Sequence, residues 1–390
     1  MNKKIIVLAP HLEYPPRNGA DIYIERLSCY LSAYRVPVYI LGLNTLTSYV
    51  MGANISQSYF SNRLRTKTWA AIRTLALRSH YLVEKFLTNA YRKKAKDFVQ
   101  ENPEAIIVYS FISSGSLELT KEAAIIVTHN DEIAFYRKQQ AITKNPLQKL
   151  VALFSEKWLL SFLDKSMNDN VYVHITDADQ KAYSNYIAQH RSIIVPAGAE
   201  YRHPVILAHP LDKTIHLLFC GSLSVKMNQD ALLFFKDKFW GLLKGYFNED
   251  IDIWIAGSHP TPSVVNLCKN QGWALHPDIC DDDLYSLYAA ATFGILPFEY
   301  SDGAKIKLLN CLAAGLPVLA TNSVKIMPEQ DFPPNLFSND PNKWLEHLQK
   351  YRETSNDILS GRIACQQFAL QYSWQKIAEN LDSDLISMGF

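Results

Sequence analysis

The sequence predicts an α/β protein made of two halves, each a mostly parallel sheet covered by helices. Three observations predict it. Apolar runs such as Lys3–Ala9, Ala105–Tyr109 and Ala123–Thr128 read as strands buried on both faces. Stretches with helical periodicity alternate with them, as right-handed β-α-β units require. The alternation stops in a Pro-bearing stretch at 199–213 and restarts at His216, so a linker belongs there. A chain of 390 residues exceeds what one core usually supports.

Composition narrows the possibilities. Hydrophobic residues make up 48% and charged residues 20%, which excludes a disordered chain. A formal net charge of +1 gives no general attraction to nucleic acid. The cysteines at 29, 220, 268, 280, 311 and 365 form no Cys-x-x-Cys pair, so reduced thiols and no metal site are expected. No apolar run reaches the roughly 18 residues of a membrane span. The N-terminal apolar run is too short for a signal peptide and leads into a Pro-rich loop, so it reads as the first strand.

In the first half, the loop from His11 to Ala20 follows that strand. A helix from about Asp21 turns Ile22, Ile24, Leu27, Tyr30 and Leu31 inward. Val36–Leu43 is the next strand. Ala123–Thr128 delivers His129 at its C-terminal end, where open α/β sheets bind ligands. A helix over Leu147–Leu163, a strand at Tyr172–Ile175, a helix capped by Thr176 and a strand at Ser192–Val195 complete this half.

In the second half, His216–Cys220 is a strand, residues 221–228 form a loop and a helix runs from Gln229. Asp252–Ala256, Trp273–His276 and Phe293–Pro297 are further strands. Helices occupy Val264–Asn270 and a segment opened by Asp281, Asp282 and Asp283, three acids that suit the helix dipole. The stretch from Phe298 to Thr321 reads as loop, helix, tight turn and buried strand. Ile306, Leu308, Leu309 and Leu312 give the helix one apolar face, Gly315 ends it and Pro317 cannot continue it. Free N–H groups at such a helix start, with Lys305 and Lys307, suit a phosphate. Three helices then follow, Trp344–Tyr351, Asp357–Gln371 and Trp374–Met388.

Residues 61–96 stand apart. They hold ten Lys and Arg against Glu84, an excess of +9, which leaves −8 for the remainder. Trp69, Ile72, Leu75, Leu77, Leu82, Val83, Phe86 and Leu87 are interleaved. A basic amphipathic helix with aromatic residues suggests an anionic membrane surface or an anionic acceptor. Arg63, Arg65, Lys67, Trp69, Arg73, Arg78, Lys85, Arg92, Lys93 and Lys94 are its candidate contacts.

These motifs together resemble glycosyltransferase family 4, the group 1 glycosyltransferases. In the first half the likeness rests on Pro16–Ala20, Val127–Asn130, Ile175–Asp177 and Val195–Gly198. In the second it rests on Phe219–Leu223 with Asn228, Ile255–Gly257 and Ala313–Val318. The family carries two glutamates separated by seven residues before that last motif. Asp302 and Asn310 stand at those positions here, and Ser222 stands where the family usually has Arg.

The resemblance implies the GT-B fold: two Rossmann-like domains, 1–205 and 206–372, facing a central cleft, with helix 373–390 crossing back to the first. It implies sugar transfer from a UDP- or GDP-sugar to a lipid-linked or polysaccharide acceptor in bacterial surface glycan synthesis. The transfer would be retaining and would need no metal or other cofactor. His129 and Asp302 would be catalytic. Gly19, Gly221, Ser222, Lys226, Gly257, Gly303, Ala304, Lys307 and Asn310 would bind the donor. The expected place is the cytoplasm, at the inner face of the cytoplasmic membrane, with no nucleic-acid partner. Two alternatives fit the same residues: a sugar-nucleotide epimerase or hydrolase of this fold, and a non-catalytic glycosyltransferase-like subunit.

Overall fold

The computed structural model describes the chain except residues 1–2, 15, 17–18, 35–36, 60–64, 112–115, 120–122, 166–169, 188–189, 200–213, 300–304, 325–334 and 354–357, and the side chains of 54–59, 305 and 358. It divides into two compact units, Met1–Pro196 with Trp374–Phe390, and Ala197–Ser373.

The first unit runs β1 (Ile5–Leu8), α1 (Gly19–Leu31), β2 (Val38–Leu41), β3 (Thr45–Val50), β4 (Ala53–Tyr59), α2 (Lys67–Leu77), α3 (Tyr81–Phe86) and α4 (Asn89–Gln100). It continues with β5 (Ile106–Tyr109), β6 (Ile125–Thr128), α5 (Glu132–Ile142), α6 (Pro146–Lys165), β7 (Val171–His174), α7 (Asp177–Ser184) and β8 (Arg191–Ile194). Its sheet has the order β4-β3-β2-β1-β5-β6-β7-β8. Pairing is parallel from β2 through β8 and antiparallel in the β2-β3-β4 extension. Every residue of β1, β5, β6 and β7 is buried, whereas the edge strand β8 is partly exposed.

Two expectations are corrected here. The β3-β4 hairpin is not foreseen, because its strands are rich in Thr, Ser and Asn and lack an apolar run. Met51 and Gly52 turn it with φ of 51° and 77°, the two positive values of a type I′ turn. The basic stretch is three helices, not one. Arg78 ends α2 in the left-handed conformation, and the Thr88 side chain caps α4. Its charges are also not all open to solvent. Buried Glu84 accepts a hydrogen bond from Arg73 Nε at 2.7 Å and one from Ser79 at 2.9 Å, with Arg65 3.6 Å away.

The second unit runs β9 (Ile215–Cys220), α8 (Lys226–Phe235), a π-helical turn at Lys236–Trp240, α9 (Gly241–Phe247), β10 (Ile251–Gly257), α10 (Pro262–Gln271), β11 (Ala274–Pro277) and α11 (Asp281–Ala290). Next come β12 (Phe293–Leu296), α12 (Lys305–Ala313), β13 (Val318–Ala320), β14 (Leu336–Phe337), α13 (Pro341–Glu353) and α14 (Ile358–Leu370). All six strands are parallel, in the order β11-β10-β9-β12-β13-β14. Helix α8 begins at Lys226, three residues before the expected start, so Lys226 and Asn228 lie in its first turn. Gly315, with φ 71°, ends α12, and Leu316 N–H returns to the Cys311 carbonyl at 2.8 Å.

The chain then rejoins the first unit as α15 (Trp374–Ser387), which packs on α1. Trp374, Ile377, Ala378, Leu381 and Leu385 are its buried face. All six cysteines are free thiols.

Candidate functional site

In the second unit the strand order reverses between β9 and β12. Such a reversal at the C-terminal ends of the strands is where open α/β sheets bind ligands. The loop after β9 starts at Gly221. A methyl group on Gly221 would sit 2.7 Å from Lys307 Nζ and 3.1 Å from Asn228 Nδ2. The bare backbone at 221 therefore admits the lysine that α12 sends across. Asn228 is 3% exposed and donates to the Ser222 carbonyl at 2.7 Å, which fixes the loop from below. Burial holds the Lys307 amine below the usual lysine pKa, with the Cys220 and Cys311 thiols beside it acting in the opposite sense.

The other donor-side candidates take distinct places. The Ser222 hydroxyl lies 3.1 Å from that of Ser224 on the loop surface. Lys226 is exposed and forms an ion pair with Asp230 one turn along α8. A methyl on Gly257 would lie 1.8 Å from the Gly221 carbonyl oxygen, so the chain itself requires glycine there. Asn310 lies half-buried one turn beyond Lys307 on α12, and its carbonyl accepts the Ala314 N–H at 3.1 Å. Asp302, Gly303 and Ala304 lie outside the described residues. The loop that leads to them is anchored at Phe298, whose carbonyl accepts from the Thr321 and Ser323 hydroxyls at 2.6 and 2.5 Å.

In the first unit the order reverses between β1 and β5. The loops that leave them carry His11 and Phe111, and neighbouring β6 delivers His129. The His129 ring centroid is 4.6 Å from that of Phe111, 5.8 Å from Tyr23 and 6.2 Å from His11. Neither His129 ring nitrogen makes a hydrogen bond of normal geometry among the described residues, although both are buried. Burial, then the neighbouring His11, push its pKa down to about 3, against a weaker pull from the Ser110 backbone. The ring is neutral at physiological pH, with one N–H to donate and one lone pair to accept.

His11 lies between two buried groups, with Nε2 3.1 Å from Asp21 Oδ1 and Nδ1 3.4 Å from Ser110 Oγ. Gly19 is the exposed first residue of α1. Sequence reasoning did not single out His11, Asp21 or Phe111. The missing signal was that β1 and β5, about a hundred residues apart, are neighbours. In the basic stretch, Lys67 and Trp69 are exposed on α2 and Lys85 is half-buried on α3. Lys93 and Lys94 lie on the outer part of α4, Arg92 Nε donates to the Leu87 carbonyl at 3.2 Å, and Arg63 lies outside the described residues. Among the described residues, no three His, Cys, Asp or Glu side chains are placed to hold a metal ion.

Two doubly wound α/β units with a C-terminal helix returning to the first define the class: the fold is GT-B. Residues 214–352 match the family described as glycosyl transferases group 1. Among solved structures, WaaG, a glycosyltransferase involved in lipopolysaccharide biosynthesis, is similar at TM-score 0.63 and 15% identity, covering 97% of this chain and 98% of that one. Sucrose-phosphate synthase from Thermosynechococcus elongatus is similar at TM-score 0.66 and 13% identity, covering 99% of each chain. HepE from Anabaena, in complex with UDP-glucose, is similar at TM-score 0.61 and 11% identity, covering 98% of this chain and 99% of that one. No curated protein matches the chain in sequence.

Proposed function

We propose that the chain transfers a sugar from a UDP- or GDP-sugar to a lipid-linked or polysaccharide acceptor in bacterial surface glycan synthesis, with retention and without a metal. One observation carries this reading. Lys307, Gly221 and the first turn of α12 meet where the second sheet changes direction, and the lysine is held partly desolvated there. An amine that burial has weakened gains most from an anion. The binding of UDP-glucose by HepE agrees with a nucleotide-sugar donor. The role of WaaG in lipopolysaccharide biosynthesis agrees with a surface glycan product.

Charge development sets the roles. Cleavage of the anomeric carbon–diphosphate bond leaves negative charge on the diphosphate and positive charge on the sugar. Lys307, the Ser222 hydroxyl and backbone N–H groups of the Gly221 loop receive the diphosphate. Lys226 joins them by leaving Asp230. Asp302 is assigned to the donor-sugar hydroxyls and Asn310 to the ribose. Neutral His129 hydrogen-bonds a sugar hydroxyl and steadies the oxocarbenium-like state. The acceptor approaches from the leaving-group side, as retention requires.

A screen of sugar nucleotides for thermal stabilisation tests the reading, since a ligand at a hundred times its Kd stabilises by about 2.7 kcal/mol. We expect a UDP- or GDP-sugar to raise the melting temperature and EDTA to leave turnover intact. The His129→Ala variant should bind donor but lose transfer. Stabilisation by no nucleotide diphosphate would instead favour a non-catalytic subunit.

A further inference from the structure

A pocket of about 260 Å³ opens in the first unit beside His11, near the lower end of the ligand-site range, about 300 Å³ upward. It lies between the loops leaving β1 and β5, where the strand order reverses, and α3 closes its other side. Six of its eight lining residues are apolar, with Phe86 and Phe111 the largest, and the other two are His11 and Lys85.

Lys85 has the unusual environment. Its amine lies 4.6 Å from the Phe86 ring centroid and is half-buried. Burial, then Lys67 nearby, hold its pKa below the usual value, against a weaker pull from Glu13. Among the described residues no carboxylate lies within ion-pair distance of it. The acid next in sequence, Glu84, is instead engaged by Arg73 and Arg65. A cation on the wall of an apolar pocket lacks a countercharge that a ligand can supply. Helix α2 packs on α3 and exposes Trp69, Ile72 and Leu77.

We propose that this pocket takes the phosphate end of the acceptor, a phosphate ester on an apolar, isoprenoid-like chain, with Lys85 meeting the phosphate. Leu82, Phe86 and Phe111 pack the first carbons of the chain. An apolar wall with one cation fits that amphipathic anion better than it fits a sugar, which would need several polar side chains. The proposal rests on the reading of the chain as a glycosyltransferase with a lipid-linked acceptor.

Farnesyl phosphate, titrated calorimetrically below its micelle concentration, is the probe, with farnesol and inorganic phosphate as controls. It should bind the full chain at least tenfold tighter than either control. Lys85→Glu should weaken it at least tenfold, and Lys85→Gln less, with UDP or GDP binding unchanged in both. Lys85→Gln carries the test if the glutamate variant fails to fold. Farnesol binding as tightly would leave only an apolar cavity, phosphate binding as tightly only a surface ion, and an indifferent Lys85→Glu would remove the lysine. Any of the three overturns the proposal. Loss of farnesyl phosphate binding with intact nucleotide binding defeats the pocket alone. Failure of nucleotides to bind defeats the donor reading alone.

Discussion

Gly221 and Gly257 look alike in the sequence, each closing an apolar run, yet they answer to different neighbours. The missing side chain at 221 leaves room for the end of the flexible Lys307 side chain. The one at 257 leaves room for a backbone carbonyl. Gly221→Ala should therefore displace the lysine, and at φ 159° it also strains the backbone. We expect UDP or GDP affinity to fall about tenfold, or 1.4 kcal/mol, with a smaller loss of melting temperature than Gly257→Ala shows. Gly257→Ala should force the backbone apart and destabilise the second unit by about 1–3 kcal/mol, the usual cost of overpacking. Calorimetric titration and thermal melts of both variants separate the two roles, and unchanged affinity in Gly221→Ala would detach Lys307 from the donor.

At the scale of elements, α2 and α3 sort the basic stretch into inward and outward parts. Glu84 draws Arg65 and Arg73 inward, while α2 leaves Trp69 at 58%, Ile72 at 48% and Leu77 at 56% exposure. Helix α6, packed on α2, adds Leu147 at 60%. Apolar side chains next to Lys67 suit the interface of an anionic bilayer. The chain should float with anionic vesicles and not with neutral ones. Trp69→Ser combined with Ile72→Ser should cut the bound fraction several-fold with only a small fall in melting temperature, because about half of each side chain is already in water. Equal flotation of that variant would place the contact elsewhere.

Much at this scale was legible beforehand. The buried strands, the Thr176 cap, which accepts from Asp179 N–H at 3.1 Å, and the Gly315 stop all follow from local pattern. The β3-β4 hairpin was not, because its polar side chains are ordered by pairing with β2 and not by their own hydrophobic pattern. Nor was the break into α2, α3 and α4. Helical periodicity runs on through Arg78, and the left-handed Arg78 and Glu84, folding back to Arg73, mark the corner in the folded chain.

For the whole molecule, the histidines whose pKa burial lowers furthest among the described residues lie in one unit. Burial pushes His80 and His129 to about 3 and His174 to about 4, and all three belong to the first unit. Each folded value is lowered from the ordinary 6.5, so the unfolded chain binds more protons below that pH. Stability is unaffected above about pH 6.5 and falls as the pH drops towards the folded values. At pH 5 each histidine should cost about 2 kcal/mol, from 1.36 kcal/mol per pH unit. Calorimetry between pH 7.5 and 5 should show the first unit melting earlier while the second holds. A melting profile that does not change with pH would contradict the burial of these rings.

The sequence alone determined the alternation of strands and helices, the restart at His216 and the helix, tight turn and strand over 305–320. It could do so because each depends on residues close together in the chain. Strand order, by contrast, depends on pairings between segments far apart. Tertiary structure alone decided that β9 meets β12, which brings Gly221 against Lys307, and that β1 meets β5, which brings His11 and Phe111 to His129. Desolvation was equally invisible in one dimension. Lys85 and Lys226 read alike as lysines, and only the packed chain shows that one faces an apolar pocket and the other an aspartate in water.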